Sequence, residues 1–245
     1  FAYCTARLGQ VLRYHRKLWE YVFICQTLWE RQAIQPGARG LGFGVGQEPL
    51  TAFFAGQDCR ITATDMAADA AVEAGWAATD EHASAKAALA RPELCPPEVF
   101  ETHVEFRVCD MNAVPDDLNG YDFCWSACAL EHLGSIRHGL DFIERSVQTL
   151  KPGGWAVHTT ELNLGSNEDT VDHMDTVLFR RRDLEELRTR LEAQGHRAVP
   201  IDYQPGLGPI DRYIDLPPYR AEPHLKLALW GYPTTSVGLM VQRGA

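Results

Sequence analysis

The chain has no Cys-x-x-Cys pair, no apolar run long enough to span a membrane and no excess of basic residues. Each absence removes a class of function. Seven cysteines at irregular spacing offer neither a disulfide framework nor a zinc-site pattern, which points to reduced thiols and a cytoplasmic setting. Cys124 and Cys128 stand four apart, but Cys124 lies in an apolar run and reads as packed rather than metal-bound. Lysine and arginine number 23 against 33 acidic residues, a formal charge of −10. That balance argues against a nucleic-acid backbone or an anionic membrane as partner, since both call for basic patches. The one basic run, Arg180-Arg181-Arg182, is followed at once by Asp183, Glu185 and Glu186 and reads as a solvated helix start. No signal-peptide pattern, internal repeat or low-complexity linker is visible. The first residue is Phe1 rather than methionine, as in a chain excised from a longer one.

What the chain does have is alternation. Its 245 residues are 45% hydrophobic, enough for one large domain with a sizeable core. Residues 1–33 carry apolar positions at helical spacing, including Leu8, Val11, Leu12, Leu18, Tyr21, Val22, Ile24 and Leu28. Strand-like runs follow at 39–43, 60–64, 104–109, 121–125 and 155–160, with a last one at 235–242. Helical patterns separate them at 49–55, 67–75, 83–90, 140–150 and 183–193. Strand and helix in turn imply a doubly wound α/β sheet, mostly parallel, behind an N-terminal helical extension. The expected division of residues 1–245 is one domain: helices in 1–36, a nucleotide-binding core in 37–165, and an acceptor loop with C-terminal strands in 166–245. Residues 163–174 read as a polar loop. The segment 204–223, with five prolines, reads as an ordered excursion forming a lid or a substrate wall.

Gly40, Gly42, Gly44 and Gly46 occupy alternate positions at the end of the first strand. A glycine turn there lets backbone approach a ligand, because no Cβ intervenes. Nineteen residues after Gly46, the run Ile-Thr-Ala-Thr ends at Asp65. A glycine turn followed at that interval by an acid on the next strand is the pattern of a ribose-binding nucleotide site. Asp65 has a second reading as a helix N-cap.

Five motifs occur in order: Gly42-Phe-Gly-Val-Gly46, the strand end at Asp65, Cys109-Asp-Met-Asn112, the run Tyr121–Leu133 containing Ala-Leu-Glu-His-Leu, and Leu150-Lys-Pro-Gly-Gly-Trp155. Together they resemble the class I S-adenosylmethionine-dependent methyltransferases, most closely the branch of small-molecule, ubiquinone-biosynthesis and sugar O-methyltransferases. The likeness covers roughly residues 38–165. It implies a seven-stranded sheet with an antiparallel last pair, and S-adenosylmethionine as cofactor. It assigns Gly42, Gly44 and Gly46 to the cofactor turn, Asp65 to the ribose hydroxyls and Asp110 to the adenine amino group. It sets Met66 and Met111 against the adenine faces and Ser126 under the methionine arm; Asp110 also fits a turn, and both methionines fit plain core packing. One departure stands out. The acid that this family carries two places before the first glycine is Gly40 here, so the cofactor's ammonium needs another partner, for which Glu48 is the candidate.

Methyl transfer to a hydroxyl requires alignment of the acceptor and removal of its proton. His132, directly after the fourth strand, suits the second task, with packing against the cofactor as its alternative. Glu161 and Asn163, after the fifth strand, suit contacts to acceptor hydroxyls, and Glu161 and His173 are the next bases in line. His158, inside that strand, reads as buried and hydrogen-bonded. Tyr203, Tyr213, Tyr219 and Trp230 offer an aromatic acceptor wall, to which Trp19, Trp29 and Trp76 could add, though these three read first as core. No clear ligand set assigns a metal. The expected reaction is methylation of a hydroxyl on a small-molecule or glycan acceptor, a saccharide or another polyhydroxylated compound. Rivals are a quinone precursor, an acyl group or an amine as acceptor, and a binding module without chemistry. A nicotinamide oxidoreductase is disfavoured by the Leu150–Gly154 motif and by the absence of a Tyr-x-x-x-Lys pair.

Overall fold

The computed structural model describes residues 1–67, 83 and 85–245. Two helices lead, α1 (Ala2–Arg7) and α2 (Arg16–Glu30). His15 caps α2, its Nδ1 accepting the Lys17 N–H at 3.2 Å, and Leu18, Val22, Ile24, Cys25 and Leu28 form its buried stripe. The sheet follows: β1 (Arg39–Phe43), β2 (Arg60–Asp65), β3 (Val104–Val108), β4 (Tyr121–Ala127), β5 (Leu150–Asn163), β6 (Arg197–Ala198), β7 (Lys226–Leu229) and β8 (Tyr232–Gln242). Between the strands lie α3 (Leu50–Gly56), α4 (Pro97–His103), α5 (Ile136–Gln148), α6 (Arg181–Ala193) and the single turn α7 (Pro209–Arg212).

The strand order is β3-β2-β1-β4-β5-β8-β6, with β7 paired to the free edge of β8. The five strands from β3 to β5 are parallel, and β8 closes antiparallel on β5 from Trp155↔Gln242 to Asn163↔Thr234. The central parallel strands β1, β2 and β4 are buried almost throughout, being covered on both faces, while the edge strand β3 leaves Glu105 and Val108 exposed. One face packs Phe123 and Trp125 of β4 against α2, α3 and Phe100 of α4. The other packs Cys124 of β4 against α5 and α6 through Leu140, Ile143, Leu184 and Leu187. The chain leaves β1 toward β2 on one side and returns as β4 on the other. That reversal opens a crevice at the carboxyl ends of β1 and β4, the place where such sheets bind ligands.

Among the described residues the sheet has eight strands where seven were expected. The extra pairing is the β7–β8 hairpin, in which Leu229 faces Tyr232 across Trp230 (φ 47°) and Gly231 (φ 86°). Two residues of positive φ make the tight turn that matches strand twist, but tryptophan is not a residue that signals it. The helix expected over 83–90 is only a 3₁₀ turn at Lys86–Leu89; most of the one expected over 67–75 lies outside the described residues, as does Trp76. The segment 204–223 is tied to the N-terminus: His224 donates its N–H to the Tyr14 carbonyl and accepts from Arg16 N–H, and its ring stacks on His15 at 4.8 Å. Among the described residues no helix is long and apolar enough to cross a membrane.

Candidate active site

A cavity of about 670 Å³ opens at the carboxyl ends of β1, β2, β3 and β4. Its first wall is the glycine turn. Gly44 (φ 56°) and Gly46 (φ 50°) are in the left-handed region, where a side chain is strained. A Cβ on Gly44 would stand 2.9 Å from Ala129 Cβ and 3.2 Å from Met111 Sδ, filling the space between the turn and the end of β4. Asp65 fastens the turn to β2. Its Oδ2 accepts the Gly46 N–H at 3.0 Å and the Ala83 N–H at 3.1 Å, and its Oδ1 accepts the Met66 N–H at 2.8 Å. The carboxylate is thus held at the wall by backbone donors. Met66, Asp110, Met111 and Asn112 continue the lining, with Asp110 capping a short 3₁₀ turn through the Asn112 N–H at 2.8 Å.

The second wall comes from elements far apart in sequence. Arg16, Lys17 and Tyr21 of α2 reach the cavity, opposite Cys128, Ala129, Glu131, His132 and Leu133 of the segment after β4. Glu131 is buried, with Oε2 accepting the Thr160 hydroxyl at 3.0 Å. Arg16 forms an ion pair with buried Glu161 of β5. Lys17 donates to the Ala127 carbonyl at 3.2 Å and pairs with Glu20 at 3.3 Å. Burial opposes the charge on Lys17, yet Glu20 holds its ammonium above the ordinary lysine pKa. Glu20 is fully buried. Burial alone would raise its pKa, but Lys17, Arg16 and the Ser236 hydroxyl, which donates at 2.6 Å, together lower it. Cys128, Glu131 and Glu161 bring three ligand atoms within 4.8 Å of one another; the Arg16 guanidinium already supplies the countercharge there.

His132 belongs to this second wall. Its Nδ1 lies 2.9 Å from the Asp175 carbonyl and 3.1 Å from the Thr176 hydroxyl. A carbonyl only accepts, so Nδ1 carries the hydrogen and the neutral ring has its lone pair on Nε2.

A family model described as a methyltransferase domain matches residues 40–158, just under half of the chain. Over these residues the chain matches the methyltransferase-domain model, and together with the doubly wound sheet this supports a class I S-adenosylmethionine-dependent methyltransferase. The enzyme's methyl donor is S-adenosylmethionine. No curated protein matches it in sequence. A Galdieria sulphuraria structure assigned as a sarcosine dimethylglycine methyltransferase superposes with a TM-score of 0.57 at 13% identity, over 99% of this chain and 97% of that one. Magnesium protoporphyrin IX methyltransferase from Synechocystis gives 0.53 at 11%, over 98% and 92%. Phosphoethanolamine N-methyltransferase 2 from Haemonchus contortus gives 0.53 at 13%, over 88% and 52%. At such identities the likeness is one of fold.

The methyltransferase's cavity wall includes Gly44, Gly46, Glu48, Asp65, Met66, Asp110, Met111 and His132. Three expected site residues lie elsewhere. Gly42 is inside β1, where a Cβ would meet Trp125 at 2.5 Å; it makes room for the indole rather than for a ligand. Ser126 is fully buried and bonded to His158 Nδ1 at 2.8 Å, because the alternation along β4 turns it to the face opposite Trp125. Glu161 sits behind Arg16 and holds that side chain instead of lining the cavity itself. Asn163 also misses the cavity: its amide binds Gly165, Ser166, Asp169 and Thr170 and shapes the following loop. His158 is buried as expected, with Nε2 at 2.9 Å from the Ser146 hydroxyl. None of the expected wall aromatics among the described residues lines the cavity; Tyr21 does. Arg16 and Lys17 were missed by sequence, since charged positions between the apolar residues of a helix read as its solvent face; Tyr21 was read as one of that helix's apolar positions, and Glu131 stood without a role inside the Ala-Leu-Glu-His-Leu run.

Proposed function

We propose that the enzyme methylates a hydroxyl group of a saccharide or other small polyhydroxylated acceptor. The observation that carries this reading is the hydrogen bond from His132 Nδ1 to the Asp175 carbonyl, at 2.9 Å on the cavity wall. It fixes the tautomer that leaves Nε2 to take a proton, as a general base for a hydroxyl needs. Bound S-adenosylmethionine supplies an activated methyl group, so the chain's own task is alignment and proton removal. Asp65 would hold the ribose hydroxyls and Asp110 the adenine amino group, with Met66 and Met111 against the base. The glycine turn leaves the required space at Gly44. Arg16, Tyr21 and Glu131 surround the acceptor end and offer donors and acceptors suited to several hydroxyls. The net charge of −10 favours a small molecule or glycan over a nucleic acid. Seven free, buried thiols favour a reducing, cytoplasmic setting.

An amine is the second reading, favoured by the buried Glu131 carboxylate on the same wall. Incubation with methyl-deuterated donor and a panel of sugars, phenols, amines and carboxylic acids separates the two. A labelled methyl ether on a polyol supports the proposal; a labelled N-methyl product with no ether overturns it.

A further inference from the structure

Glu48 follows the glycine turn and precedes α3. Its side chain is buried, lines the cavity and accepts the Trp125 Nε1–H at 2.6 Å. Phe123 and Ile61 explain why the usual acid before the turn is missing. A Cβ at Gly40 would lie 2.5 Å from Phe123 and 2.8 Å from Ile61, so no acidic side chain fits there. Phe123 takes that space, and Trp125, two residues further along β4, presents its N–H to the Glu48 carboxyl on the far side of the turn.

The groups that bear on Glu48 are Trp125 from β4, Lys17 and Glu20 from α2, and Asp65 from β2. Burial is the largest influence and pushes its carboxyl up to about 8; Trp125 and Lys17 pull down, Glu20 and Asp65 push up. Lys17 is committed to Glu20 and to the Ala127 carbonyl, so it does not neutralise Glu48. At neutral pH Glu48 is a buried acid in its neutral form, with one oxygen accepting from indole and a proton on the other. A cation placed beside it would favour the ionised form. The Trp125 bond would then become charge-assisted and stronger.

We propose that Glu48 receives the α-ammonium of the donor's amino-acid arm and releases its own proton to solvent as the donor binds. This rests on the methyltransferase reading of the cavity. The ammonium keeps its proton, no covalent bond changes, and the site exchanges a neutral acid for an ion pair. Binding is therefore linked to pH. Affinity rises toward higher pH while free Glu48 is protonated and levels off once it is ionised in the free protein.

The test is titration calorimetry with S-adenosylhomocysteine, which carries the ammonium but no sulfonium charge, in buffers of different ionisation enthalpy. At pH 7 the proposal expects release of about one proton per ligand bound, and an affinity gain approaching about tenfold per pH unit between pH 6 and 7.5. 5′-Methylthioadenosine, which lacks the amino-acid arm, should bind with no proton release. In Glu48→Gln, whose amide oxygen can still accept from Trp125, S-adenosylhomocysteine should bind without release and with a flat pH profile. Absence of release in the unmodified enzyme, or equal release with both ligands, overturns the proposal, as does release that persists in Glu48→Gln. Failure of S-adenosylhomocysteine to bind at all would instead contradict the cofactor assignment. The comparison of the two ligands stands even if the variant does not fold.

Discussion

Under Gly44 and Asp65 the cavity is walled by turns and strand ends, held by backbone hydrogen bonds: Asp65 takes three N–H groups, and the end of β1 is fixed to β2 by the Thr64 hydroxyl on the Gly42 carbonyl at 2.8 Å. Under His132 the wall is made of side chains from α2 and the segment after β4, held by ion pairs with β5 and within α2. The first arrangement is local and stiff and suits a donor that does not vary. The second depends on contacts between distant elements, so on the proposed reading acceptor choice can change without disturbing the wall assigned to the donor. Loss of a residue at one end should therefore leave the other end's readout intact.

The largest effect is expected at His132. His132→Ala should lower turnover by about two to four orders of magnitude while S-adenosylhomocysteine affinity stays within about twofold. Steady-state kinetics together with calorimetry check both halves, and a lost cofactor affinity would erase the boundary between the ends.

At the donor end, Gly44→Val adds branched bulk to a residue at φ 56° with Ala129 Cβ 2.9 Å from the new Cβ. S-adenosylhomocysteine binding should fall below detection in a variant that still unfolds cooperatively. Asp65→Ala should weaken the same binding by about 1.5–3 kcal/mol, the scale of hydrogen bonds to a charged group, measured by the same titration.

Glu161→Gln sharpens the comparison from the other side. It removes the Glu161 charge from the ion pair with Arg16, a loss of about 1–3 kcal/mol of stability readable by urea denaturation. Turnover should drop with it, through misplacement of Arg16, while donor affinity is kept.

The last effect concerns the sheet beneath both ends and leaves both ends' readouts untouched at neutral pH. Burial lowers the His158 pKa to about 3, from an ordinary value near 6.5. The folded state therefore binds fewer protons than the unfolded chain between those values. The stabilisation that His158 contributes by staying neutral is complete above pH 6.5 and is lost as pH falls through that window, by about 1.4 kcal/mol per unit. Urea unfolding of the enzyme and of His158→Gln at pH 5 and 7.5 should show a smaller decline in the variant. Parallel declines would mean that another group carries the acid sensitivity.

The wall proposed for the donor was legible as cavity lining because its residues are contiguous with strand ends. The glycine turn, Asp65, Asp110 and the motif before Trp155 each sit at a strand boundary that apolar runs already mark. The errors there are errors of facing. Ser126 and Gly42 are at the right height on the sheet, but the pleat and the bulk of Trp125 turn them inward. The acceptor end was barely legible. His132 was found from its place after β4, whereas Arg16, Lys17 and Tyr21 become wall residues only because α2 packs over β4, β5 and β8. No spacing within residues 16–21 encodes that docking. Glu161 was read as facing the acceptor, and its partner Arg16 stands between it and the cavity.

The two-ended account is tested most directly by titrating S-adenosylhomocysteine into Asp65→Ala and His132→Ala side by side, with the folded fraction of each checked by thermal unfolding. The account predicts a loss of about tenfold to a hundredfold in affinity for Asp65→Ala, on the scale of one charged hydrogen-bonding group, and near-unchanged affinity for His132→Ala. Equal losses in the two variants, or unchanged affinity in Asp65→Ala, would contradict it.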